Sequence, residues 1–214
     1  MKAYLAKMPR IIMRIFSNYT WHFFSNKKEI FLTFDDGPTT DITQFILKEL
    51  KKYNAKATFF CIGKNIKNHP ELFKEIISEG HSIGNHTHNH LKGWKTEKQN
   101  YIDNILMCDK TITQFGYTTK QKLFRPPYGR IKKNQAKELI QEGYKIIMWD
   151  VLSADFDVTI SKEKCLDNVL KSVENGSIIV FHDSVKAKER MEYVLPKVLK
   201  DLSEKGFTFK AIKS

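Results

Sequence analysis

The chain has 214 residues, 36 of them Lys or Arg against 24 Asp or Glu, for a formal net charge of +12. With 41% apolar and 28% charged residues it is neither collagenous nor low-complexity, and it holds enough bulky side chains to exclude a disordered polymer. Its length suits one domain that folds without staples, and no run of about 18 apolar residues marks a membrane-spanning helix.

In chain order, residues 1–28 form a basic, apolar-rich segment: six Lys or Arg precede the first acid, Glu29. A secretory signal needs an unbroken apolar core and small residues after it. Here Arg14 interrupts Ile11, Ile12, Met13, Ile15 and Phe16, and Tyr19, Trp21, Phe23 and Phe24 follow. Such a segment can lie on an anionic membrane as a peripheral contact or simply pack on the domain. Packing is the expectation, with no nucleic-acid partner. With neither a signal peptide nor a spanning helix legible, a cytoplasmic or membrane-peripheral location is expected.

Residues 29–214 read as one domain in which short apolar runs alternate with helical periodicity. Strands are predicted at 30–34, 57–61, 81–84, 123–125, 145–149, 177–181 and 207–210. Ile42, Phe45, Ile46, Leu50 and Tyr53 recur at helical spacing after Asp41, with Gln44 completing a variant capping box. Pro70 opens the next helix and Gly80 stops it. Thr96 and Gln99 suggest a second box ahead of Tyr101, Ile105, Cys108 and Ile112. Further helices fit 131–142 and 161–173, and a last one carries Pro196 and ends at Gly206. Cys61, Cys108 and Cys165 are too far apart for a disulfide framework or a Cys-x-x-Cys knuckle, and read as reduced, buried thiols. Strands alternating with helices imply a parallel sheet, either open and doubly wound or curled into a barrel short of eight strands.

The unusual polar residues fall directly after strands. Asp35-Asp36-Gly37 follows the first, His86-Thr87-His88-Asn89-His90 the third and Arg125-Pro126-Pro127-Tyr128-Gly129 the fourth. Residues 150–155 follow the fifth and His182-Asp183 the sixth. Loops at the carboxyl ends of strands build the active sites of α/β proteins. His86 and His90 with one carboxylate are the donor set of a catalytic zinc, and also suit Co²⁺, Ni²⁺ or Fe²⁺; His88 is expected to face away. Adjacent carboxylates diverge, so one of Asp35 and Asp36 can ligate while the other acts as base. Pro126 and Pro127 stiffen the loop that presents the Tyr128 and Gly129 backbone. Taken singly, each piece has an ordinary structural use: a solvated turn, a surface histidine pair, a paired arginine, a core histidine.

Taken in order, Thr33-Phe34-Asp35-Asp36-Gly37, His86-Thr87-x-x-His90, Arg125-Pro126-Pro127-Tyr128 and Val180-Phe181-His182 resemble the motifs of polysaccharide deacetylases, the carbohydrate esterases of family four, over about residues 30–212. The resemblance implies a distorted, incomplete (β/α) barrel of about seven strands with its active site at their C-terminal ends. It implies a metal-dependent hydrolase that removes N-acetyl groups from a glycan containing N-acetylglucosamine, such as peptidoglycan, a chitin-like oligomer or a precursor. By the same resemblance Asp36, His86 and His90 hold zinc, Asp35 is the general base paired with Arg125, and the Tyr128 N–H binds the oxyanion. His182 is then the general acid, tuned by Asp155. One motif departs: Leu152-Ser153-Ala154-Asp155-Phe156 stands where the family usually reads Asp-Ser-x-Asp-Trp. Leu152 and Phe156 thus leave open a non-sugar amide as substrate, and the net charge leaves open a catalytically silent glycan or polyanion binder. Asp150 has no assigned role.

Overall fold

The computed structural model describes residues 5–24 and 26–213; Lys2 of the basic segment lies outside them. In chain order the elements are α1 (Arg10–Ile15), β1 (Glu29–Asp35), α2 (Ile42–Lys52), β2 (Thr58–Cys61), α3 (Gly63–Asn68), α4 (Pro70–Ser78) and β3 (Ser82–Asn85). There follow α5 (Lys98–Gln114), β4 (Lys122–Phe124), α6 (Lys133–Gln141), β5 (Tyr144–Ile146), β6 (Val151–Leu152), α7 (Lys162–Leu170), β7 (Ile178–His182), α8 (Lys188–Glu204) and β8 (Thr208–Phe209).

Period two decides what each strand shows to each side. Along β1, Ile30, Leu32 and Phe34 are buried in the large apolar cluster that α2, α4, α7 and α8 share with the outer face of the sheet. Phe31, Thr33 and Asp35 therefore face inward, where Phe60, Leu123, Ile147 and Ile178 form a smaller cluster. The strands pair in parallel in the order β5-β4-β3-β2-β1-β7-β6, with β8 beside the start of β1. This path of seven parallel strands curls into a half-barrel flanked by helices, the second of the two architectures that alternation alone allowed.

Several local expectations fail for physical reasons. Residues 63–68 form α3, a helix too short to show a period. Val151 and Leu152 form β6 inside a stretch read as loop, because two residues cannot display alternation. Neither predicted capping box forms: Asp41 adopts φ 65° and makes no side-chain cap, and α5 starts after Glu97 rather than Thr96. Ser161 does cap α7, accepting from the Lys164 N–H at 3.2 Å. Pro196 lies within α8, where burial of Val194, Leu195, Val198 and Leu199 offsets the backbone hydrogen bond that proline cannot make. The three cysteines are free and buried, as read.

The path ends at β5 and β6, and residues 5–24 cover both. Lys7 pairs antiparallel with Val151, Thr20 parallel with Ile147 and His22 antiparallel with Ser177. Met8 N–H donates to the Asp150 carbonyl at 2.8 Å, Thr20 N–H to that of Ile146 at 2.8 Å and Phe23 N–H to that of Gly176 at 2.9 Å. Ile12, Met13, Tyr19 and Trp21 pack into a third apolar cluster with α5 and α6, while Ile11, Ile15 and Phe24 are exposed. The basic segment is thus a strap across the half-barrel's open edges. Asp150 anchors it. This fully buried carboxylate accepts from Lys7 Nζ (2.7 Å), Ser177 Oγ (3.0 Å) and Ile178 N–H (2.7 Å), and pairs with His22 Nδ1 (2.9 Å). Among the described residues no helix is long and apolar enough to cross a membrane.

Candidate active site

Strand register sets Asp35 beside His182 across β1 and β7, and beside Phe60 across β1 and β2. Both acid and imidazole lie on the inner face, at strand ends, and so open onto the rim. Asp36, one residue beyond, takes φ 86°. Gly37 is required, because a Cβ there would fall 1.8 Å from Asp183 Oδ2. In its place the Gly37 N–H donates to Asp183 Oδ1 (2.8 Å) and the Thr43 hydroxyl to Oδ2 (2.7 Å). Burial pushes the Asp183 carboxyl up to about 8, against these two bonds, which favour its charged form. Asn65 Nδ2 holds the Asp36 carbonyl at 2.7 Å.

The histidine loop after β3 is shaped by two asparagines. Asn85 Oδ1 accepts from the Thr87 N–H (2.8 Å), and Asn104 Oδ1 on α5 accepts from the His88 and Asn89 N–H groups (2.9 and 3.0 Å). These bonds support positive φ at Thr87 (64°) and His90 (53°), which turns both imidazoles toward Asp36. His90 Nε2 and His86 Nε2 lie 3.3 and 3.7 Å from Asp36 Oδ1, and the candidate ligand atoms of the three residues all lie within 4.8 Å of one another. His86 Nδ1 donates to the Arg125 carbonyl at 2.8 Å, which leaves Nε2 free to ligate. Burial, followed by the neighbouring His90, lowers His86 to about 3, and burial lowers His90 as well. Neutral imidazole is the form that binds metal. His88 stays outside the group, its ring against Gly63. Two neutral, oriented imidazoles and one carboxylate fit a divalent ion of the zinc type.

A second triad, His22, Asp150 and Glu174, is equally compact. Its cation is already supplied: Lys7 Nζ lies 2.7 Å from Asp150 and 2.9 Å from Glu174.

Arg125 is fully buried and spends its guanidinium on four acceptors: Asp35 Oδ1 and Thr33 Oγ1 at 2.7 Å, and the Met148 and Ile147 carbonyls at 2.8 and 3.1 Å. It also stacks on Phe60. Asp35 is thereby fixed in place. His182 Nδ1 lies 2.8 Å from Asp155 Oδ1, and Asp155 Oδ2 accepts the His182 backbone N–H at 2.8 Å. Burial alone would lower His182, but the Asp155 charge and hydrogen bond outweigh it and raise the imidazole to about 9. Tyr128 takes φ 62°, and its backbone N–H meets no acceptor among the described residues. Of the seven non-glycine residues described with positive φ, five (Asp36, Thr87, His90, Tyr128 and Ala154) lie in these loops; strain of this kind collects at functional sites.

The structure therefore gathers Asp35, Asp36, His86, His90, Arg125, Tyr128, Asp155 and His182 on one rim. Sequence reasoning missed Asn65, Asn85, Asn104 and the bracing role of Asp183. Only Asp183 had a signal, its place beside His182. Of the departing motif, Leu152 ends β6 half-buried, and the Phe156 ring meets His182 edge-on at 4.8 Å.

Comparison with known proteins agrees with this geometry. Residues 25–147 match the family model described as polysaccharide deacetylase. A peptidoglycan-N-acetylglucosamine deacetylase of Bacillus cereus is 36% identical over 191 residues, covering 88% of this chain and 68% of that protein. The crystal structure of the Bc1960 peptidoglycan N-acetylglucosamine deacetylase superposes with a TM-score of 0.87 at 33% identity, covering 96% of this chain and 95% of that one. A family member from Bacillus anthracis described as a pseudoenzyme, BA3943, superposes at 0.78 with 25% identity, over 90% of this chain and 66% of that one. Motif order, half-barrel and these likenesses lead to one assignment: the chain belongs to the polysaccharide deacetylase family.

Proposed function

We propose that this chain is a metal-dependent hydrolase that removes the acetyl group from N-acetylglucosamine units of a glycan. The observation that carries the reading is the convergence of Asp36, His86 and His90 ligand atoms within 4.8 Å, flanked by Asp35 and His182 in register on adjacent strands. An amide is a poor electrophile with a poor leaving group, so both ends of the reaction need help. A divalent ion held by Asp36, His86 and His90, zinc by preference with Co²⁺, Ni²⁺ or Fe²⁺ as alternatives, supplies Lewis acidity to the acetyl carbonyl and to water.

The rest is done by side chains and one backbone N–H. Asp35, pinned by Arg125, takes the proton of the attacking water. The Tyr128 N–H is placed to stabilise the developing oxyanion. His182, with Nδ1 engaged by Asp155, gives the Nε2 proton to the departing amine. The complete set argues against a silent binder such as the pseudoenzyme relative, since binding a glycan requires neither base nor acid.

Acetate release from N-acetylated oligosaccharides, measured beside metal content, tests the reading. Asp36→Ala is expected to lose both metal and turnover; Asp35→Asn is expected to keep metal and lose about 10²–10⁴-fold in kcat. Metal-loaded wild type that releases no acetate from any acetamido sugar would overturn it. Because Phe156 crowds His182, a parallel panel of non-sugar amides decides whether the changed motif moves the substrate instead.

A further inference from the structure

On one side of the imidazole pair the rim changes character. Tyr128 is 53% exposed; its ring lies 4.8 Å from that of His90 and meets Trp94 edge-on at 5.4 Å. Lys92 Nζ lies 5.7 Å from the centre of the Tyr128 ring, and the Arg130 guanidinium 5.4 Å from that of Trp94. Two loops, one after β3 and one after β4, thus build a single surface with an aromatic floor and cationic edges.

The charge is one-sided over a long stretch. No acid occurs at residues 86–96 or 125–137, while Lys95, Lys132 and Lys133 add to Lys92 and Arg130. Lys92 and Arg130 form no ion pair among the described residues; the nearby Lys98 is neutralised by Glu138. A cation over an aromatic face keeps its head in water and its position defined. A flat apolar sugar face can lie on the rings, but a neutral glycan gains nothing from the cations. A carboxylate or phosphate on the glycan gains charge-assisted hydrogen bonds.

We propose that Lys92, Trp94, Tyr128 and Arg130 form a ledge that binds a negatively charged unit of an N-acetylated glycan beside the sugar whose acetamide enters the Asp36–His86–His90 site. This rests on the glycan deacetylase reading above and adds the charge of its substrate.

Three probes share an N-acetylated backbone and differ in charge: soluble peptidoglycan fragments with free carboxylates, the same fragments after amidation of those carboxylates, and an N-acetylglucosamine oligomer bearing phosphate. Wild type is expected to show kcat/KM roughly tenfold higher for an anionic probe than for the amidated one at low salt, the scale of two exposed charge pairs. The preference should shrink as salt screens it. Whether carboxylate or phosphate probes show it identifies the source of the charge. The Lys92→Gln/Arg130→Gln double variant is expected to lose the preference. Lys48→Gln/Lys120→Gln, which removes the same charge at exposed positions on α2 and in the loop before β4, keeps it. The ledge is overturned by wild type with no preference for either anionic probe, by a preference that survives Lys92→Gln/Arg130→Gln, or by equal loss in both double variants. Equilibrium binding of the same probes repeats the comparison without turnover. Absent acetate release with Lys92- and Arg130-dependent binding would then sink the deacetylase reading and keep the ledge.

Discussion

His182 is the residue whose chemistry depends most on its neighbours. Burial disfavours its charged form, and the Asp155 carboxylate at 2.8 Å more than reverses this, raising it to about 9. A raised value means that the imidazolium stabilises the fold fully below the ordinary value near 6.5. That contribution is lost as pH rises through about 9. The same proton is the one proposed for the leaving amine, so kcat/KM is expected to fall above pH of about 9. Asp155→Asn keeps the shape and removes the charge. Its pH–rate profile is expected to show the alkaline limb displaced downward by at least about one unit; an undisplaced limb would mean that Asp155 does not control this proton. The family resemblance implies both the pairing and its direction without coordinates. What the residues could not reveal is that Asp155 also binds the His182 backbone, which fixes ring and main chain together.

At the scale of elements, the histidine loop shows how a helix can shape a candidate metal site to which it contributes no ligand. Asn104 on α5 accepts two loop N–H groups; without its side chain the buried His88 N–H keeps only the longer bond to the Asn104 backbone carbonyl, 3.2 Å, and the exposed Asn89 N–H turns to water. Asn104→Ala is expected to lower divalent-ion affinity about 10–100-fold, as loss of supporting hydrogen bonds around ligands does. It should cost about 1–3 kcal/mol of stability. Equilibrium dialysis against Zn²⁺ and urea denaturation measure the two effects; unchanged metal affinity would confine Asn104 to the fold. Strands such as β1 and β7 were legible because their burial alternates or runs unbroken. Helix α3 and strand β6 were not, since six and two residues carry too little pattern, and their form is imposed by neighbours: α3 by the Thr87 and His88 carbonyls that accept from Gly63 and Lys64, β6 by β7.

The whole molecule is a half-barrel closed by its own N-terminal strap, and that closure depends on Asp150. Removing one partner from a buried ionic cluster costs about 3–5 kcal/mol, because the remaining charges lose their compensation. Asp150→Ala is expected to lose stability of that order in urea denaturation and to expose Lys7, Arg10 and Arg14 to trypsin, read by limited proteolysis. Cleavage of Asp150→Ala no faster than of wild type would show that apolar packing of Ile12, Met13 and Trp21 holds the strap by itself. Two of the six basic residues in 1–28 are paired with acids here: Lys7 faces Asp150 and Glu174, and Arg10 faces Glu174.

From the amino-acid order alone came the parallel α/β class, the strand-end position of each chemical group and the family likeness, because local period and short motifs are properties of contiguous residues. That the sheet curls was already implied by the likeness; tertiary structure decided that the first segment closes it and that Asp150 belongs to the strap. It alone also showed the asparagines that shape the histidine loop and the joining of Trp94 to Tyr128. These depend on partners far apart along the chain: Lys7 and Asp150 are 143 residues from each other, and His22 and Asp150 are 128. No local pattern records which distant side chain will fill a given buried position.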